Sequence, residues 1–525
     1  MPSLASVTCR AGVLSTLLFA GACSSAPRGG PPGPALQPLS QSERIAHVLS
    51  RLTFGARPGD AERVAALGVD RWIDQQLKPA TIPDSVVERS LARIATWRDS
   101  AASTGSLTQF PPQLAGLSLA QQLKDTAAVK LLKAQLVSPF LVNDFFYAGR
   151  IIRAQESERQ LQEILTNFWE NHFSVFTGKM PSPEALSVWD RDVLHPRALG
   201  KFRDLLGATA HSPAMLFYLD NHLSKKQGLN ENYARELLEL HTLGVDGGYT
   251  QQDVIEVARA LTGWTIRRAP APSIFMFRRE QHDTGTKVVL GHTLKSGRGI
   301  EDGEEVLDIL ARHPSTAHYI SLKLARRLVS DEPPPALVDR AAETFLRTDG
   351  DIAEVVRTIV TSREFFSRQA FRAKVKTPHE LVVSAWRALG ARADTSPVTS
   401  RLVTQLGQGA FAWATPEGFP EKGEPWINSG TMFKRVKFGR DLAVGSFAIV
   451  KPERWSEWTR LSALPLDAQV DGVVKNVLGG VADSTTRSVM LSIRAEGTTP
   501  TANDGPARLR ELLGIAFASP EFQRR

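Results

Sequence analysis

From Ser42 to about residue 390 apolar residues recur every three to four positions, broken mainly by short Gly or Pro turns, and strand-like alternation is rare. A chain patterned this way buries its apolar side on helices. Ile45, Val48, Leu49 and Leu52 share one helical face behind a serine cap, and Gly55 and Pro58 end that helix. The exceptions are Ile274–Phe277 and Lys287–Leu290, two short apolar runs flanking a polar Gln281-His-Asp-Thr-Gly285 segment. The sequence therefore predicts a mainly α fold, a multi-helix bundle-like architecture with a small β-hairpin insertion near 274–290.

With 525 residues, 42% of them hydrophobic, the chain can bury a large core. Its surplus of 63 Lys and Arg over 55 Asp and Glu is spread along the whole length. No arm or stripe concentrates it as a nucleic-acid footprint would. Its only cysteines are Cys9 and Cys23. Disulfides, thiolate metal sites and cysteine nucleophiles are thus excluded from the remainder. The N-terminus carries Arg10, an apolar run from Ala11 to Ala22, and then Cys23. Such a run has signal-peptide length and is too short to span a bilayer. Ala20-Gly21-Ala22-Cys23 resembles the lipobox of bacterial lipoproteins, which implies lipidation at Cys23. An exported protein, periplasmic or anchored at the outer membrane, is expected, with no nucleic-acid partner.

Four segments follow from these patterns: a signal peptide at 1–22, a Pro/Gly/Ser-rich tether at 23–41, a main helical domain at 42–370 and a C-terminal helical region at 371–525. Ile359-Val-Thr-Ser-Arg-Glu-Phe365 and Ala516-Phe-Ala-Ser-Pro-Glu-Phe522 echo each other as helix ends followed by Ser-x-Glu-Phe. Residues 486–508, where Thr, Gly, Asn and Pro cluster, read as a loop.

The most informative stretch is 229–244. Tyr233, Ala234, Leu237, Leu238 and Leu240 cover one helical arc, and Asn232, Arg235, Glu236 and Glu239 the opposite one. Asn230 can cap its start and Gly244 its end. The charged arc is either a solvated face or the lining of a cleft, where Arg235 would hold a carboxylate and Glu236 or Glu239 act as acid, base or metal ligand. His241 falls in the apolar arc and reads as core. Thr250 and Asp253 form a capping box for the next helix. Upstream, His172 returns to the apolar face of Leu161, Ile164, Leu165 and Phe168, where it is either packed or a general base. Asp220 and Asn221 close another helix, and His282 with Asp283 lies in the hairpin. The chain has no His-Glu-x-x-His, Gly-x-Ser-x-Gly, Walker or Gly-x-Gly-x-x-Gly motif.

Phe168-Trp-Glu-Asn-His-Phe173, Pro213–Asn221, Asn230–Leu240, Ala260–Trp264, His282-Asp-x-Gly-x-Lys287, Lys376-Thr-Pro-His-Glu-Leu381, Gly418-Phe-Pro420 and Trp426-Ile-Asn428 together resemble the bacterial family called domain of unknown function 1800, from about His47 onward. The resemblance implies large, exported, mostly helical proteins and carries no assigned activity. The family commonly has Phe at the position of His241, and Trp at the position of Phe419.

The recognisable blocks are mostly polar, and polar groups on otherwise apolar helices must be paired if buried. Two readings follow. In one, His172, Asp220, Glu236, His282 and Asp283 line a catalytic pocket. Trp169, Asn221, Asn232 and Arg235 then hold the substrate, a divalent metal is an optional cofactor, and an extracytoplasmic polymer is hydrolysed or modified. In the other, Arg235, Glu236 and Glu239 form a structural network, and the protein is a noncatalytic envelope module that binds an anionic polymer or another envelope protein.

Overall fold

The computed structural model describes residues 36–92, 139–181, 185–267, 273–393, 398–493 and 504–525. The leader, Cys9, Cys23 and the first part of the tether lie outside them.

The first helix, Gln41–Arg51, begins in a capping box. Ser40 Oγ accepts from the Glu43 amide, and the Glu43 carboxylate accepts from the Ser40 amide. Its apolar face buries Val48 and Leu49. Thr250 with Asp253 and Thr377 with Glu380 repeat the same device at Gln251–Ala260 and Pro378–Ala388. Helices dominate the described residues, which is the mainly α fold the periodicity calls for.

Two large apolar cores organise them, beside two small clusters. One gathers side chains from Leu39 to Ala370 and adds Phe411. The other runs from Leu381 to Phe522 and adds Tyr147. In the second, Ser429–Ala443 packs along Asp504–Ala518. Gly439 permits this approach, because a Cβ there would stand 3.1 Å from the Ala518 amide nitrogen.

The β structure is small, and its pairing differs from a single hairpin. Strand β1 (Trp264–Arg267) pairs antiparallel with β2 (Ile274–Phe277), and β3 (Lys287–Val289) with β4 (His292–Leu294). The two apolar runs therefore do not face each other. Leu290 and Gly291, both at positive φ, turn β3 straight back onto β4.

The helix at Asn232–Glu236 continues as a π-helical turn over Leu237–Thr242, where the Thr242 hydroxyl donates to the Leu237 carbonyl. Gly244 ends it at φ 84°. Part of 486–508 is also helical. Ser484–Leu491 forms a helix whose Asp483 cap accepts from the Thr486 amide, and Asp504 opens another. A polar, Thr-rich surface masks a helix that buries only Thr486 and Met490. The Ser-x-Glu-Phe echo has a shared geometry: Ser362 Oγ accepts from the Phe365 amide and Ser519 Oγ from the Phe522 amide.

Candidate functional site

A cleft of about 80 Å³ opens where several distant segments meet. Helix Pro139–Glu156 contributes Tyr147 and Arg150, and helix Gln160–His172 contributes Asn167, Glu170 and Asn171. Arg327 ends helix Pro314–Leu328, and Lys374 and His379 flank the start of helix Pro378–Ala388. Trp413, Phe419, Glu421 and Trp426 come from the connecting loop, and Arg525 closes the wall.

The charges are layered. Arg150 pairs with Glu170 and lies 5.5 Å from the Tyr147 ring centre and 5.4 Å from that of Phe411. Behind the wall, Glu380 receives Arg327 at 2.7 Å and Arg525 at 3.2 Å. Burial alone would push the Glu380 carboxyl up, but Arg327, Arg525 and the Thr377 amide hold it at about 2. Lys374 pairs with Asp331 and donates to the Glu421 carbonyl at 2.9 Å, and burial still draws it down to about 8. Buried Arg51 donates to the Ala370 carbonyl, and burial with the nearby Arg525 depresses its pKa.

Several donors remain unused. Arg327 Nε and Arg525 Nε and Nη1 are buried without a hydrogen-bond acceptor among the described residues. His379 Nδ1 and Glu170 Oε1 are likewise unpartnered, and burial then Arg150 keep His379 neutral at neutral pH, at about 3. On the loop, Phe419 touches both tryptophans, with ring centres 5.2 Å from Trp413 and 6.0 Å from Trp426. Phenylalanine thus supports an aromatic wall here.

None of the five acid-base candidates lines this cleft. His172 is buried among Phe168, Trp169, Phe173 and Tyr319, with Nε2 3.2 Å from the His241 carbonyl oxygen. Burial, with Lys323 and His241 nearby, drives it toward the neutral form. His241 packs in the same aromatic cluster, as its apolar arc implied.

Asp220 sits at φ 61° and pairs with Lys179 at 2.7 Å. His282 is fully buried, with Nδ1 2.8 Å from the Thr262 carbonyl and Nε2 3.3 Å from Asp302. Its neighbour Asp283 turns away to Arg259, which donates at 2.9 and 3.2 Å. Those bonds hold the carboxyl at about 2.

The Glu236 carboxyl is shifted toward neutrality. Burial, then Glu239 and Glu417, push it up to about 7 against the pull of Arg235.

None of the substrate-binding candidates lines the cleft either. The Trp169 indole donates to the Ala198 carbonyl at 3.0 Å, and Asn221 donates to the Leu261 and Trp264 carbonyls, so both are buried braces. Asn232 is exposed and reaches the Leu219 carbonyl at 3.3 Å. Arg235 is half-exposed, with Glu231 at 3.3 Å and Gln251 at 2.9 Å, so the Arg235–Glu236–Glu239 arc is no buried network. Of the polar blocks, the Trp-Glu-Asn-His and Thr-Pro-His-Glu motifs reach the cleft, through Glu170, Asn171 and His379. Arg150, Arg327, Lys374 and Arg525 carried no local signal.

Among the described residues no group of three or more His, Cys, Asp and Glu side chains could hold a metal ion. No described helix is long and apolar enough to cross a membrane.

A mainly helical body with a cation-walled cleft is the class of protein defined here. The chain belongs to the family described as protein of unknown function (DUF1800), whose model matches residues 47–524. No curated protein and no solved structure matches it.

Proposed function

We propose that this is an exported protein, tethered in the bacterial envelope through Cys23, that binds an acidic group of an anionic polymer in the cleft. The observation that carries this reading is the imbalance of the wall. Arg150, Arg327, Lys374 and Arg525 line the cleft against Glu170 and Glu421, while Glu380 and Asp331 pair Arg327, Arg525 and Lys374 from behind the wall, and two of the guanidiniums keep N–H donors with no acceptor among the described residues. An incoming carboxylate or phosphate would satisfy those donors, which are costly to leave buried and unpaired. Aromatic faces at Trp413 and Phe419 suit the ring of a sugar. The leader and the lipobox-like cysteine supply the export address.

Full-length protein in detergent should bind polygalacturonate in a salt-sensitive way and ignore neutral dextran. Arg525→Gln, shown folded by its melting curve, should weaken binding about tenfold. Equal binding to both polymers would defeat the proposal.

One observation favours a second reading. A carboxyl held near 7, as at Glu236, suits a general acid or base, and the hydrolysis of an extracytoplasmic polymer would then centre there. Turnover of a polysaccharide, ester or peptide panel that Glu236→Gln abolishes would select it.

A further inference from the structure

A second, larger cavity of about 360 Å³ lies elsewhere, between the first two helices and the segment around Val477–Gly480. Its walls are largely apolar: Ile45, Leu49, Phe371, Val477, Leu478 and Phe522 all line it. Five cations also line it, Arg57, Arg372, Lys376, Lys475 and Arg524, and of these Lys376 is the buried one. Lys376 is buried, its ammonium donates to the Ser384 hydroxyl at 3.0 Å and lies 3.7 Å from the Phe522 ring centre. Gly55, at φ 107°, lets the chain pass close to Ser384, where an added Cβ would be 2.8 Å from the serine Cβ.

No described carboxylate pairs with this lysine. Glu380, an acid that favours its charge, is occupied by Arg327 and Arg525. Of the acids on the cavity wall, Glu521 accepts from the Asp483 amide and the Thr486 hydroxyl, and Glu62 pairs with Lys475 at 3.2 Å. Arg372 spends its guanidinium on the Leu478 and Val481 carbonyls, both at 2.7 Å. Burial, together with Arg372, Arg525 and Arg435, draws Lys376 down to about 7. A buried ammonium without a counter-ion, at the wall of an apolar cavity, is an arrangement that an anionic amphiphile would complete.

We infer that this cavity binds a small carboxylic acid with a hydrocarbon tail, its carboxylate on Lys376 and its tail against Leu49, Val477 and Leu478. The site is separate from the cationic cleft, and neither depends on the other.

Calorimetric titration of the full-length protein with octanoate, 1-octanol and octylamine tests the assignment. Octanoate should bind about tenfold more tightly than octanol, and octylamine should not bind. Lys376→Met should bring octanoate down to the affinity of octanol while leaving octanol unchanged. Ala46→Trp, which fills the cavity from its other wall, should abolish both. Failure of octanoate to bind, equal affinity for octanoate and octylamine, a carboxylate preference that survives Lys376→Met, or octanoate binding undiminished in Ala46→Trp would each overturn it.

Discussion

Asn171 holds the backbone of Phe419 with both halves of its amide. Nδ2 donates to the Phe419 carbonyl at 2.9 Å, and Oδ1 accepts from the Phe419 amide at 2.7 Å. The preceding residue, Gly418, sits at φ 76°, and a Cβ there would lie 2.4 Å from the Asn171 carbonyl oxygen. A helix end thereby fixes the loop that carries the aromatic wall.

Asn171→Ala should therefore destabilise the protein by about 1–3 kcal/mol, the cost of two lost partners of partly buried amides. Gly418→Ala should cost more, because it adds strain at positive φ to a steric clash. Urea unfolding of the two variants measures both, and a Gly418→Ala protein as stable as the wild type would contradict the packing described.

Acid stability should respond to the buried imidazoles. Burial, and then Lys323, hold His241 at about 3 in the folded state, against 6.5 ordinarily. Below pH 6.5 the unfolded chain takes up a proton that the folded chain refuses, so stability falls as pH drops from 6.5 toward 3. His241→Phe should flatten that slope and leave stability above pH 7 nearly unchanged. Chemical denaturation at pH 4, 5.5 and 7.5 supplies the comparison.

Asp302 should matter to folding rather than to any reaction. It is buried beneath His282 and takes Lys287 at 2.7 Å and Arg298 at 3.0 Å. Asp302→Asn leaves Lys287 buried and uncompensated, an expected loss of about 3–5 kcal/mol. The double variant Asp302→Leu, Lys287→Met should recover much of it. A melting temperature unmoved by Asp302→Asn would show that the lysine has another counter-charge.

Glu236 should titrate near neutrality. Its folded pKa is raised, so the stability it confers is complete below its ordinary 4.5 and is lost as pH rises through about 7. Glu236→Gln should then stabilise the protein more at pH 8 than at pH 5, and Glu417→Gln should lower the Glu236 midpoint in carbon-detected NMR. A midpoint that stays put in Glu417→Gln would remove Glu417 from the cluster.

The helices were legible where local chemistry and periodicity agree. The Thr250–Asp253 box is one case, and the first helix, Gln41–Arg51, is another. The π turn at Leu237–Thr242 was not, since one extra residue per turn leaves the same apolar arc almost intact. Strand partners were not legible either, because runs of three or four residues do not specify a neighbour. Polarity along the motifs identified groups that need partners. It did not reveal that Asn221 spends its amide on carbonyls while Asn171, of the same residue type, frames a cleft. That difference arises from tertiary neighbours, 40 and 43 positions away for Asn221 and 248 for Asn171.

Lys374 and Lys376 stand two residues apart, yet the first faces the cleft and the second the apolar cavity, with Val375 bridged to Arg524 between them. Both are drawn below the ordinary lysine range by burial. The partition between two chemically opposite chambers thus depends on the register of one short extended stretch. Insertion or deletion of a single residue there would shift each amine out of its own compartment, so this stretch should tolerate substitutions far better than changes of length.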